Sequence, residues 1–96
     1  QYLSESGERL AELRDDLAML ETNRADALHS LRLHAHRLVG SGGSYDFPEI
    51  SRAARTLEEL AMRSDGESAE LEAAVNRVAE TFRDAAAELG DASPPQ

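Results

Sequence analysis

The 96-residue sequence has no cysteine, no lysine, four aromatic residues and no long apolar run. Without cysteine, neither a disulfide framework nor a thiolate metal site can form. No apolar stretch approaches the roughly 20 residues of a membrane span, and no signal-peptide pattern opens the chain. A soluble, cytoplasmic protein with no membrane partner is therefore expected. All ten basic residues are arginines, scattered among 19 carboxylates, and the net charge is −9. Nucleic acid is disfavoured as a partner, because binding its phosphates needs clustered cations. With only Tyr2, Tyr45, Phe47 and Phe82 as aromatics, one modest core must be built largely from leucine and alanine.

What is abundant points to helix. Leu, Ala, Glu and Arg are all good helix formers. Four segments carry apolar residues at helical spacing: Leu3, Leu10, Leu13, Leu17 and Leu20; Leu28, Leu31, Ala35 and Leu38; Ile50, Ala53, Leu57 and Leu60; and Leu71, Val75, Val78, Phe82, Ala85 and Leu89. Each stripe covers one face, and four inward-facing stripes make a bundle.

The breaks between stripes agree. Asn23 is placed to cap a helix starting near Arg24, with Asp26 in its first turn complementing the helix dipole. Pro48 and Glu49 suit the first turn of a third helix. Ser64-Asp65-Gly66 separates the third helix from the fourth, and Gly90 is expected to end the fourth. Connections this short make neighbouring helices antiparallel, so the expected fold is an all-α, up-down four-helix bundle over residues 1–90. Residues 91–96, polar and Pro-containing, read as a tail or linker, as in a piece of a longer protein.

One histidine stands apart from the core stripe. At about 100° per residue, His36 lies roughly 120° from the centre of the second stripe. It belongs to another row, His29, Leu33, His36 and Gly40, which a core helix does not need. Glycine within a helix costs about 1 kcal/mol relative to alanine. Gly42 and Gly43 can be a helix ending, whereas Gly40, still in register, leaves room for another molecule to approach His36. If the chain reverses near Phe47, residues 36 and 58 lie at equal height, so Glu58 can face His36. A carboxylate on one ring nitrogen fixes the tautomer and leaves the other nitrogen's lone pair free, as a nucleophilic imidazole requires. A solvated Glu58 is the plainer alternative.

The run Ala35-His36-Arg37-Leu38-Val39-Gly40-Ser41-Gly42-Gly43-Ser44-Tyr45 resembles the signature of histidine-containing phosphotransfer (HPt) domains of bacterial two-component phosphorelays. The continuation Phe47-Pro48-Glu49-Ile50, Ala53-Ala54 and Leu57-Glu58 resembles the family's next helix. The detailed resemblance covers residues 24–61. It implies that His36 is phosphorylated, that Glu58 orients it, and that Gly40 leaves room for a response-regulator receiver domain. His29, Leu33, Arg37, Val39, Gly40 and Gly43 are the expected partner-binding positions. The implied partners are a receiver domain, exchanging the phosphoryl group through an aspartyl phosphate, and a histidine or hybrid kinase in the same or a separate polypeptide. On this resemblance the domain is a carrier and not a self-sufficient enzyme. It needs no cofactor of its own, with Mg²⁺ held by the receiver.

Two positions depart from the family pattern. Val39 stands where a lysine is usual, and Arg32, one turn before His36, is the residue placed to supply the missing charge. Asp46 replaces a common glycine in the hairpin turn, where Asp is tolerated. Val39 also favours a different class of function, a degenerate module that docks to a receiver or kinase without transfer. A metal site is not expected: His29 and His36 lie about 10 Å apart along the helix, and His34 points elsewhere.

Overall fold

The computed structural model describes residues 2–63 and 65–92. A 3-10 turn, Leu3–Glu5, leads into α1 (Ser6–Met19), α2 (Arg24–Ser44), α3 (Pro48–Ala61) and α4 (Ser68–Ala92). Each helix packs on its successor and α1 also packs on α4, which closes the expected all-α four-helix bundle. Ser64 and the end of the tail, Ser93–Gln96, lie outside the described residues, as does the side chain of Leu89.

The stripes become the core. Leu13, Leu31, Leu38, Ile50, Leu57, Leu71, Val75 and Val78 are fully buried, and Ala35, Ala53, Phe82 and Ala85 join them. Leu3, Leu10, Leu17, Leu28 and Leu60 are half-buried and pack against this cluster. Burying a leucine or valine contributes about 1.5–3 kcal/mol each, so the stripes supply the main drive for assembly. The caps fall where expected. The Asn23 side chain accepts from the Asp26 backbone N–H at 3.2 Å, and Pro48 opens α3. Arg24, at the start of α2, donates to the Gly66 carbonyl and so ties that helix to the α3–α4 connection.

The turn between α2 and α3 is a six-residue helix ending. The Phe47 N–H reaches back to the Gly42 carbonyl at 2.7 Å and the Asp46 N–H to the Gly43 carbonyl at 3.2 Å. This pair of bonds is the Schellman pattern, which needs a left-handed residue just past the helix. Asp46 fills that position at φ 66°. Gly42 and Gly43 thus belong to the helix ending as expected, through their carbonyls in the last turn of α2, and Gly42 has a second role. A Cβ on Gly42 would lie 2.9 Å from the Ser51 backbone nitrogen, so its bare backbone allows α2 and α3 to touch. The Ser51 hydroxyl donates to the Val39 carbonyl at 2.9 Å, fixing the two helices beside that contact.

Tyr2 closes this end of the bundle. It is buried, stacks on Tyr45 and Phe47 at centroid distances of 4.8 and 5.6 Å, and its hydroxyl lies 2.8 Å from Ser41 Oγ. At the chain's other end the expectation for Gly90 fails, because α4 runs through it to Ala92. Glycine stops a helix by adopting positive φ, and no described glycine does so. The boundary expected after residue 90 therefore falls inside the helix.

Gly42→Ala is expected to destabilise the fold by about 1–3 kcal/mol, since the backbone of α3 must move away. Asp46→Gly is expected to stabilise it by up to about 1 kcal/mol, by removing the side-chain penalty of left-handed backbone. Urea denaturation of both variants should move the midpoint in opposite directions.

Candidate functional site

α2 carries a histidine on each flank, and each meets a carboxylate from a neighbouring helix. His36 faces α3, where its Nδ1 lies 2.8 Å from Glu58 Oε2. His34 faces α1, where its Nδ1 lies 2.6 Å from Asp16 Oδ2. An ionised carboxylate only accepts hydrogen bonds, so in both rings Nδ1 carries a hydrogen, and in the neutral form of either ring the lone pair is on Nε2.

Burial separates the two. The His34 side chain is 20% exposed and Asp16 only 5%. Asp16 also accepts from the Ser30 hydroxyl at 2.7 Å, so both its oxygens are engaged. This buried group is fully satisfied and holds α1 to α2. The His36 side chain is 71% exposed, whereas Glu58 is 19% exposed. A largely buried carboxylate thus orients a ring that is mostly in solvent, in reach of an approaching electrophile.

The ground around His36 is open. Nothing lies within 4 Å of where a Cβ on Gly40 or Gly43 would be, so both glycines leave space outside the helix. Leu33, one turn before His36, is 42% exposed. His29 and Arg32 line a shallow groove with Ala25, Leu28, Ala61, Met62 and Arg63. The groove continues the His36–Glu58 face towards the end of α3. Val39 is half-buried and packs against the core, so it stands at the edge of this face. Arg37 sits on the other flank, lining a small cleft with Arg9, Glu12, His34 and Leu38. The structure therefore brings His29, Arg32, Leu33, His36, Gly40, Gly43 and Glu58 to one face and leaves Arg37 on the α1 side.

Two features escaped the sequence reading. Met62 is 63% exposed and supplies apolar surface opposite Arg32. The height rule that pairs 36 with 58 also pairs 32 with 62, so the signal was present. Asp16 lies in register with Leu13 and Leu20, which placed a carboxylate on a core stripe and called for a buried partner. Among the described residues, no group of three His, Cys, Asp or Glu side chains is gathered as a metal site, and no helix is long and apolar enough to cross a membrane.

A family model described as Hpt domain matches residues 1–92. No match is found among curated proteins or among solved structures.

The two histidine–carboxylate pairs should differ in their weight on stability. Asp16→Ala strands Ser30 and His34 and is expected to cost about 1–3 kcal/mol. Glu58→Ala removes a partner from an exposed ring and should cost less than about 1 kcal/mol. Equal losses in thermal or urea unfolding would contradict this division of labour.

Proposed function

The chain belongs to the Hpt domain family, whose members are phosphotransfer carriers of two-component signalling, and on that footing we propose that His36 is the residue that carries the phosphoryl group. The observation that supports this most strongly is the 2.8 Å contact between His36 Nδ1 and Glu58 on a ring that is otherwise exposed.

In this reading the Nε2 lone pair attacks the phosphorus of an aspartyl phosphate on a receiver domain. The N–P bond forms as the P–O bond to the aspartate breaks, and the carboxylate leaves with the bonding pair. The ring becomes cationic, and Glu58, accepting from Nδ1–H, offsets that charge and keeps the ring aimed outward. Transfer to a second receiver is the same step reversed. The chain contributes a positioned nucleophile, while Mg²⁺ and the acceptor aspartate belong to the partner. A histidine or hybrid kinase is the further partner of this relay.

Arg32 is the cation assigned to the phosphoryl oxygens. A guanidinium one turn from His36 can donate to them where Val39 cannot. Val39 also favours a second reading, in which the domain docks to a receiver or kinase without transfer.

The test is incubation with phosphorylated receiver domains and Mg²⁺, followed by scoring of acid-labile, base-stable label. Labelling is expected and should vanish in His36→Gln. Glu58→Gln and Arg32→Ala should each slow it by about tenfold, the loss of one charge-assisted contact. Undiminished labelling of His36→Gln would sink the assignment, and binding without any labelling would favour the docking reading.

A further inference from the structure

The net charge of −9 is unevenly distributed. Residues 24–63, which form α2, α3 and their turn, carry six arginines against five carboxylates. The rest of the chain, essentially α1 and α4, carries four arginines against fourteen carboxylates. The bundle therefore has a nearly neutral layer bearing His36, backed by a strongly acidic one.

Among the described residues three of the four arginines of the acidic layer are engaged, Arg83 being the exception. Arg9 and Arg77 pair with Glu5 and Glu80 on their own helices, and Arg14 donates to Asn76. In the His36 layer two of six are engaged: Arg24 donates to the Gly66 carbonyl and Arg52 pairs with Glu49. Around His36, Arg32, Arg55 and Arg63 have no hydrogen bond or ion pair among the described residues. Arg32 and Arg63 line the groove beside His36. Arg55 lies one turn before Glu58, on the side of α3 that faces α2 by helical register. Of the carboxylates near them, Glu58 is occupied by His36. Glu59, one turn from Arg55 and from Arg63, is exposed, so the three cations outnumber the one carboxylate left to offset them.

Apolar exposure is concentrated on the same face. Among the described residues the large hydrophobics that stand exposed are Leu33, Tyr45 and Met62. Tyr45 is stacked on Tyr2 at the bundle's end, which leaves Leu33 and Met62 flanking the His36 site without a cover. An apolar centre with unpaired cations at its rim is an incomplete interface.

We infer that the surface docking over His36 has an apolar centre, seated on Leu33 and Met62, within an acidic rim that meets Arg32, Arg55 and Arg63. The acidic α1–α4 layer repels the same rim, so charge alone turns an approaching partner towards the histidine. This rests on the relay reading above, since it takes a receiver domain as the occupant. It adds the chemistry by which that receiver is chosen and oriented.

The test uses the receiver that labels His36 fastest and measures its association with the full chain carrying His36→Gln, which separates docking from transfer. Raising NaCl from about 25 to 400 mM should slow association by about tenfold or more, as screening shortens the reach of the field. In that background Arg55→Glu/Arg63→Glu should slow association about tenfold at low salt. Arg77→Glu/Arg83→Glu changes the net charge equally but on α4, and should change the rate less than about threefold. Helical content by circular dichroism establishes that each variant is folded. Salt-independent association, or equal slowing by the two double variants, would overturn the inference while leaving His36 labelling intact. If no receiver labels His36, the relay reading and this inference fall together.

Discussion

At Gly42 the backbone of α2 comes so close to the Ser51 nitrogen that no side chain fits between them. That contact sets the spacing and height of the α2–α3 hairpin. From it the Ser51 hydroxyl reaches the Val39 carbonyl, and the Schellman turn through Asp46 returns the chain at the right angle. Sixteen residues after Gly42, Glu58 arrives opposite His36 within hydrogen-bonding distance. A bulkier residue at position 42 would push Ser51 away and spread the helices, and the alignment of Glu58 with His36 would shift with them. The site therefore depends on a position that takes no part in its chemistry.

Two nearly identical side-chain pairs on one helix show how burial decides use. His34 and His36 each present Nδ1 to a carboxylate. Asp16 sits in the core with both oxygens occupied, and the ring it holds has little open surface. Glu58 is also largely shielded from solvent, yet the ring it holds is mostly in solvent. The first pair consumes its polarity in joining α1 to α2. The second retains a nitrogen that another molecule can reach.

Much of this was legible from spacing alone. Helical period placed the core residues, Asn23 and Pro48 marked two helix starts, and equal distances from Phe47 brought Glu58 to His36. Glycine was harder to read, because the residue has several uses that sequence does not separate. Gly42 looked like part of an ending and is also a helix–helix contact, while Gly90 looked like an ending and is helix. Arg37 looked like a neighbour of His36, but one residue is about 100° of rotation, enough to carry it to the other flank. The charge partition between helix pairs was countable from the outset. Its meaning required knowing which helices share a layer.

The aromatic stack at the hairpin end has an optical consequence. The chain has no tryptophan and only two tyrosines, which lie face to face at 4.8 Å. The strong near-ultraviolet chromophores are thus confined to one end of the bundle, where the leading segment meets the hairpin turn. Tyrosine emission and near-ultraviolet dichroism will follow the closure of that end. They will be nearly silent to events at Leu33 and Met62, so the molecule carries its own local reporter, directed at the hinge on which its site depends.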